Sequence, residues 1–114
     1  VDHGKAALAA IQGNLGNPVV GGQTRVMRWN ILNNLNCLMP FSQGFDLIFM
    51  DPPYHLQAVP STLHHLTASG ALAPQARLVI EHSAGERIDC VPPYVAVDQR
   101  RFGKTLVTFM DAVL

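Results

Sequence analysis

The sequence predicts a single α/β domain with a mostly parallel sheet that ends in an antiparallel hairpin. Segments with helical periodicity alternate with strand-like segments along most of the chain, as they do in parallel α/β sheets. The apolar run Phe45–Met50 has the length and composition of a buried parallel strand. Two strand-like segments on either side of Phe102-Gly103 predict the closing hairpin.

The first residues have the pattern of a strand end followed by a helix. Val1-Asp2 is the predicted strand end, and apolar side chains on one face predict a helix over residues 4–15. Gly16-Asn17-Pro18 stops that helix, and Gly21-Gly22 marks a turn. Domains seldom start so abruptly, so we expect the chain to begin inside an α/β unit.

A second strand and a second helix are predicted before the apolar run. Residues 24–29 are rich in β-favouring types and predict a short strand. Asn30 is placed to cap a helix over residues 31–38, which ends before Pro40 because helical backbone is disfavoured next to a proline.

The apolar run and two elements after it complete the parallel part. Phe45–Met50 is expected to be a central strand covered on both faces. Pro60 in a first turn and Gly70 as terminator predict a helix over residues 60–69. Residues 77–81 form a further short strand.

The C-terminal hairpin consists of residues 94–101 and 104–110, with Phe102-Gly103 as its turn. Its tip carries a compact basic group of three side chains: Arg100, Arg101 and Lys104. On charge alone this group is typical of an ordinary solvated turn, and contact with a nucleic acid is the alternative.

The composition argues against several classes of protein. Eight Lys and Arg residues balance eight Asp and Glu residues, so the formal charge is zero, unlike that of most free-standing nucleic-acid binders. No apolar run approaches the roughly 20 residues that cross a bilayer, and no signal peptide is visible, so we expect a cytoplasmic protein without a membrane partner. Cys37 and Cys90 have no partner at metal-ligand spacing, which predicts two free buried thiols and no metal.

Three polar residues directly follow predicted strands: Asp2, Asn30 and Asp51. Ligands of open parallel sheets bind outside the carboxyl ends of the strands, so these side chains are candidate binding residues. Asp2 suits the ribose hydroxyls of a nucleoside cofactor, which a carboxylate binds through charge-assisted hydrogen bonds. Asn30 either faces an adenine edge or only caps the following helix.

The peptide Asp51-Pro52-Pro53-Tyr54 follows the apolar run directly. A carboxylate and a backbone carbonyl can each accept an N–H of a base amine, which directs the nitrogen lone pair at a methyl group. Consecutive prolines stiffen the loop, and a tyrosine can stack on a flipped base. These features favour methylation of an exocyclic amine.

The alternative interpretation of this peptide is a tight turn without chemistry. Val91-Pro92-Pro93-Tyr94 has the same paired prolines after a polar stretch, lacks the acid, and is interpreted as such a turn. Asp51 follows a buried strand, which favours the chemical interpretation of the first proline pair.

The pattern as a whole resembles the RsmD-like family of bacterial 16S ribosomal RNA guanine-N2 methyltransferases. The apolar run with Asp51-Pro52-Pro53-Tyr54 is similar to motif IV of the amino methyltransferases, which DNA adenine and cytosine enzymes share. Four further segments resemble the family in chain order: Val1-Asp2, Arg28-Trp29-Asn30, residues 78–81, and the stretch from Tyr94 through Arg101-Phe102-Gly103-Lys104-Thr105.

The resemblance implies a Rossmann-like class I fold. It also implies methyl transfer from S-adenosylmethionine to N2 of a guanine in 16S ribosomal RNA, free or in the assembling small subunit. The implied cofactor-binding residues are Asp2, Asn30 and Ile31. The implied catalytic residues are Asp51, Pro52, Pro53 and Tyr54. Candidate substrate-binding residues are His55, Arg100, Arg101 and Lys104.

The family's glycine-rich first motif is absent from the sequence, so residues 1–114 are expected to be the C-terminal portion of one methyltransferase domain. The missing N-terminal strands would lie between residues 24–29 and Phe45–Met50. Alone, the chain is expected neither to bind S-adenosylmethionine tightly nor to turn over. Two alternatives stay open: a DNA adenine or cytosine amino methyltransferase, and a noncatalytic nucleic-acid-binding module on the same fold.

Overall fold

A computed structural model describes residues 1–16, 24–52 and 58–114. Its centre is a four-stranded sheet with the strand order β1-β2-β4-β3. The strands are β1 (Phe45–Met50), β2 (Leu72–Ser83), β3 (Tyr94–Phe102) and β4 (Thr105–Ala112). The sheet is mixed, because β1 and β2 are parallel whereas β4 is antiparallel to both β2 and β3.

Two α-helices and one 3₁₀ helix accompany the sheet. They are α1 (Lys5–Leu15), the 3₁₀ helix (Asn36–Phe41) and α2 (Ala58–Ser69). The predictions of α1 and of α2 are confirmed to within a residue or two, and Gly70 ends α2 with a φ of 70°, a backbone angle that glycine adopts without strain. None of the helices in the described ranges is long and apolar enough to cross a bilayer.

One hydrophobic core lies between α2 and one face of the sheet. Val59, Leu63 and Leu66 recur at helical spacing and form the buried side of α2. Leu78 and Ile80 of β2 are fully buried beneath them, at alternate positions of a strand. This packing fixes the sheet face on which β1 and the loop after it meet α2.

β1 lies at one end of the described sheet, so the expectation of a central strand covered on both faces is wrong for this part of the chain. Ile48 and Met50 face the core, whereas Leu47 and Phe49 lie on the opposite face and are 52% and 74% exposed. α1 contributes no buried residue. Within the part of the chain that the structure describes, the outer face of β1 is therefore largely exposed.

The predicted strand over residues 24–29 is reduced to a single parallel bridge between Arg28 and Asp2. The backbone N–H of Asp2 donates to the Met27 carbonyl at 3.1 Å, and the Trp29 N–H donates to the Asp2 carbonyl at 2.8 Å. Among the described residues, this bridge is the whole of the pairing on that side. The predicted turn at Gly21-Gly22 lies outside the described residues.

The predicted helix over residues 31–38 is wrong. Residues 31–33 form a turn, and the 3₁₀ helix follows and includes Pro40. The Asn30 side chain accepts the Leu32 N–H at 3.1 Å, and the Asn34 side chain accepts the Asn36 N–H at 3.0 Å. Such local asparagine bonds compete with helical hydrogen bonding, which explains the turn.

The hairpin is confirmed with its turn shifted by one residue. Phe102 pairs with Thr105, so the two turn residues are Gly103 and Lys104 rather than Phe102 and Gly103. Gly103 has a φ of 62°, the sign that the first position of a type II′ turn requires. β2 is also longer than predicted, because its partner β4 extends the pairing to Ser83.

Candidate functional site

A cavity of about 650 Å³ opens at the carboxyl end of β1, between the N-terminal segment and α2. Five of the predicted site residues line it: Asp2, Asn30, Ile31, Asp51 and Pro52. Its volume lies within the range of about 300–1,000 Å³ that is common for small-molecule sites. The structure therefore brings together candidate residues from three separate segments of the chain.

Asp2 is held in a fixed orientation at the start of α1. Its Oδ1 atom accepts the backbone N–H groups of His3 and Gly4 at 2.6 and 2.9 Å. The Gly4 N–H, with that of His3, holds the pKa of Asp2 below its usual value against the opposing effect of desolvation. Among the described residues nothing donates to Oδ2, so this oxygen is placed to accept a hydroxyl of a ligand.

Asn30 and Ile31 stand on a turn that follows the bridge between Arg28 and Asp2. The Asn30 side-chain oxygen accepts the Leu32 N–H. Asn30 therefore caps a turn, where the sequence analysis predicted that it would cap a helix. Trp29 also lines the cavity, and its indole N–H lies 3.1 and 3.2 Å from the backbone and side-chain oxygens of Asn34. These bonds fix the indole plane against the cavity wall.

Asp51 and Pro52 follow β1 at the mouth of the cavity. Asp51 is exposed, and Pro52 is buried against the core. An exposed carboxylate beside a buried proline presents a hydrogen-bond acceptor to the cavity from a stiff backbone. Pro53, Tyr54 and His55 lie outside the described residues.

The basic group of the hairpin does not line this cavity. β1 pairs with β2 as far as Met50 and Ile80, whereas β2 and β4 continue pairing to Ser83 and Thr105. These three further residues carry the hairpin tip about 10 Å beyond the end of β1. The tip lies at the end of the sheet where Asp51 follows β1. The tip therefore projects past the cavity mouth, and it lies about two strand spacings from β1 across the sheet.

The side chains of the tip are held by contacts near to them in sequence. The Arg100 guanidinium lies 3.3 Å from an Asp98 oxygen and 5.7 Å from the ring centre of Phe109. The Arg101 Nε donates to the Gly103 carbonyl at 2.9 Å. Phe102 follows Arg101 in the chain and is 64% exposed. This surface combines cations with an accessible aromatic ring.

The second proline pair has a structural role, as predicted. Tyr94 after it is buried, and its hydroxyl donates to the Leu63 carbonyl at 2.8 Å and lies 2.8 Å from the Thr67 hydroxyl. Burial raises the pKa of the Tyr94 phenol. Tyr94, after the second proline pair, thus fixes β3 to α2. Asp51, before the first proline pair, is exposed instead.

Both cysteines are free thiols. Cys37 is half-buried and Cys90 is exposed, so the prediction that both free thiols are buried is wrong. Within the described ranges, no three His, Cys, Asp or Glu side chains cluster in a way that could hold a metal ion.

Sequence reasoning missed two contributions to the site. The bonds of Trp29 to Asn34 depend on a turn where the sequence analysis predicted a helix. On α2, His64 is exposed and His65 is half-buried. Nothing local predicted that His65 contacts the turn at Ile31.

A protein-family model described as Conserved hypothetical protein 95 matches residues 1–111 of the chain. This confirms the RsmD-like resemblance that the motifs indicated. A search of curated proteins found no match.

Several solved structures share the fold. A "putative methylase" from Haemophilus influenzae is 16% identical with a TM-score of 0.78, and the match covers 97% of this chain and 69% of that one. A conserved hypothetical protein from Streptococcus pyogenes is 23% identical with a TM-score of 0.82, covering 95% and 66%. A "putative methyltransferase" from Escherichia coli is 19% identical with a TM-score of 0.74, covering 96% and 59%. The chain thus spans about two thirds or less of the length of these proteins.

Proposed function

The chain belongs to the family described as Conserved hypothetical protein 95, and on that premise we propose that it is part of an S-adenosylmethionine-dependent methyltransferase. The proposed acceptor is N2 of a guanine in 16S ribosomal RNA. The observation that carries the proposal is the shared cavity, which Asp51 and Pro52 line together with Asp2 and Asn30. The names of the similar proteins from Haemophilus influenzae and Escherichia coli support the same reaction class.

The residues of the cavity fit the nucleoside part of the cofactor. Oδ2 of Asp2 is placed to accept a ribose hydroxyl, and the ionised state that its lowered pKa favours strengthens that bond. Ile31 and Leu35 supply an apolar wall for a flat base, and the Asn30 amide offers donors at its edge. S-adenosylmethionine, when bound, would supply a methyl group on a sulfonium, which needs no metal to leave.

The acceptor side is provided by Asp51 and the carbonyl of Pro52. Each oxygen accepts one N–H of the base amine, so the nitrogen is held with its lone pair directed into the cavity. On methyl transfer the nitrogen would give up one proton, which Asp51 or water would receive. We propose that Tyr54 stacks on the flipped base and that His55 contacts the same nucleotide.

The hairpin supplies the proposed contact with RNA. Arg100, Arg101 and Lys104 would bind phosphates, and the exposed Phe102 ring offers a stacking surface for an unpaired base. Because the tip projects past the cavity mouth on the side of Asp51, an RNA strand with its target base in the cavity would lie against it. This local cationic surface is compatible with a chain whose net charge is zero.

We place the strands that the Rossmann-like fold requires beside the free edge of β1. A second cavity of about 620 Å³ separates β1 from the N-terminal bridge, with Val1, Met27 and Leu47 in its wall. Pairing is parallel on both sides of this gap. A structure of the complete natural protein tests the proposal, because a parallel strand hydrogen-bonded to β1 is expected there.

The decisive experiment is Asp51→Ala in the complete natural protein. We expect kcat to fall roughly hundred- to thousand-fold, as it does when one oriented hydrogen-bonding group is removed from a reacting atom. The melting temperature should be unchanged, because Asp51 is exposed. Asp46→Ala removes another exposed carboxylate, from within β1, and should leave activity intact. Full activity of Asp51→Ala would refute the proposal.

The acceptor is tested by supplying labelled S-adenosylmethionine with assembled small subunits, naked 16S RNA or duplex DNA. We expect label in the RNA, and mass spectrometry of the nucleosides should identify N2-methylguanosine. Label on adenine or cytosine of DNA would favour the DNA methyltransferase alternative. No transfer to any acceptor, with RNA binding retained, would favour the noncatalytic module.

A further inference from the structure

A hydrogen bond joins α2 to the turn on the cofactor side of the proposed site. The Nδ1 atom of His65 lies 2.9 Å from the backbone oxygen of Ile31. A carbonyl oxygen can only accept, so Nδ1 carries the proton and donates it. The two residues are 34 positions apart in sequence, so the bond ties α2 to a separate segment of the chain.

The turn that His65 contacts presents two residues of the proposed cofactor site. Asn30 Oδ1 accepts the Leu32 N–H at 3.1 Å, and the Asn33 N–H donates to the Asn30 carbonyl at 3.2 Å. Asn30 and Ile31 line the cavity, whereas the described lining does not include His65. His65 therefore acts on the turn from outside the cavity.

Besides this bond, Ile31 is partly buried and packs against the hydrophobic core. Trp29 before the turn is bonded through its backbone to Asp2 at 2.8 Å, and Asn36 after it begins the 3₁₀ helix. Residues 30–33 belong to no helix or strand. Among the hydrogen bonds of the described residues, that of His65 is the one that ties these four residues to another element.

α2 also connects with the acceptor side of the site. It begins at Ala58, seven residues after Asp51, and contributes Ala58, Thr62 and Leu66 to the cavity wall. The same helix thus forms part of the cavity wall and carries His65, the hydrogen-bond donor to the turn, next to Leu66. The position of the turn relative to Asp51 is set through this helix.

We propose that His65 is a positioning residue for cofactor binding. Its Nδ1–H holds the Ile31 carbonyl, and with it the Asn30–Leu32 turn, in the geometry that receives the adenine edge. This inference rests on the proposed function and extends it, because it assigns to α2 a part in cofactor affinity. His65 itself touches neither substrate nor cofactor.

The test compares three variants of the complete natural protein: His65→Leu, His65→Asn and His64→Leu. Leucine at position 65 removes the donor, whereas the asparagine amide places an N–H near the position of Nδ1. His64 is the exposed neighbour on the same helix, so His64→Leu makes the same chemical change without the contact. Calorimetric titration gives the Kd of S-adenosylmethionine, and steady-state kinetics, RNA binding and melting temperature are measured alongside.

His65→Leu is expected to raise the Kd and the KM for S-adenosylmethionine about fivefold, which corresponds to the loss of one hydrogen bond. At saturating cofactor, kcat should stay within about twofold of the wild type, because the acceptor groups are unaltered. RNA affinity should not change. His65→Asn should recover most of the lost affinity, and His64→Leu should resemble the wild type.

Unchanged cofactor affinity in His65→Leu would overturn the inference. A His65→Asn variant no better than His65→Leu would also overturn it, as would equal losses of cofactor and RNA affinity with a lower melting temperature, which mark general loosening. Failure of the wild-type protein to bind S-adenosylmethionine would remove the proposed function and this inference together. Binding that His65→Leu leaves unaffected removes the inference alone.

Discussion

The C-terminal and N-terminal parts of the molecule are held together in different ways. β4 pairs along seven residues with β2 and along eight with β3. The N-terminal part has one bridge between Asp2 and Arg28, and α1 contributes no buried residue. Of the buried core residues in the described chain, Leu35 and Met50 alone precede α2.

Because of this difference, we expect the C-terminal part to determine stability and the N-terminal part to determine cofactor affinity. The proposed acceptor group Asp51 follows a strand that is anchored to the packed part through β2. The proposed cofactor residues Asp2, Asn30 and Ile31 stand on segments that depend on a few individual hydrogen bonds. Changes in the packed part should therefore alter unfolding, and changes in the N-terminal part should alter cofactor affinity first.

The largest expected difference is in stability. Leu78→Ala opens a cavity at a fully buried position and should lower the free energy of unfolding of the chain by about 2–5 kcal/mol. Leu47→Ala makes the same change on the outer face of β1, at 52% exposure, and should cost less than about 1 kcal/mol. Urea denaturation measures both. Equal costs would contradict the contrast between the two faces.

A smaller effect is expected for RNA binding by the hairpin. Lys104→Ala in the complete natural protein should weaken RNA binding several-fold and reduce the slope of log K against log salt by about 0.7, the value for one lost phosphate contact. Lys5→Ala removes the same charge from α1 and is the matched control. Salt-dependent filter binding measures both, and identical curves for the two variants would argue against a hairpin contact.

The smallest effect concerns the ion pair at the end of the sheet. The Arg77 guanidinium bonds both oxygens of Asp111 at 2.8 and 3.1 Å and holds the pKa of that carboxyl below its usual value. A lowered pKa means that the pair stabilises the fold above the ordinary carboxyl pKa, and that this contribution disappears as pH falls through the lowered value, below about pH 4.

Asp111→Asn should therefore be slightly less stable than the wild type near neutral pH and equal to it in acid. Arg77 is exposed and Asp111 is half-buried, so water still reaches the pair, and the difference should be small and should shrink in high salt. Melting curves between pH 3 and pH 7 measure it. A gap that widens in acid would have the wrong sign for this pair.

Local patterns predicted the elements that depend on local features. The apolar run gave β1 its bounds, and glycines ended α2 and turned the hairpin. The errors arose where side chains compete with the backbone or where partners are remote. Asparagines replaced the helix at residues 31–38 by a turn, and within the described residues the strand at residues 24–29 is reduced to one bridge with Asp2.

In the candidate site, too, some features follow from local sequence and others depend on remote elements. Asp2, Asn30 and Asp51 were selected because each follows a predicted strand, which is a local observation combined with a general rule for parallel sheets. All three line one cavity, and their chemical roles remain proposals. The exposure of Phe49 could not be predicted, because it depends on which elements lie beside β1.

The sequence by itself determined the α/β class, the strand that carries Asp51-Pro52-Pro53-Tyr54, the hairpin and the family, because short apolar runs, turn residues and motifs encode these locally. The tertiary structure alone decided which polar residues share a cavity and how far the hairpin projects beyond it. It also decided that His65 holds the turn at Ile31. These features depend on contacts between residues far apart in the chain, and no local pattern encodes such a contact.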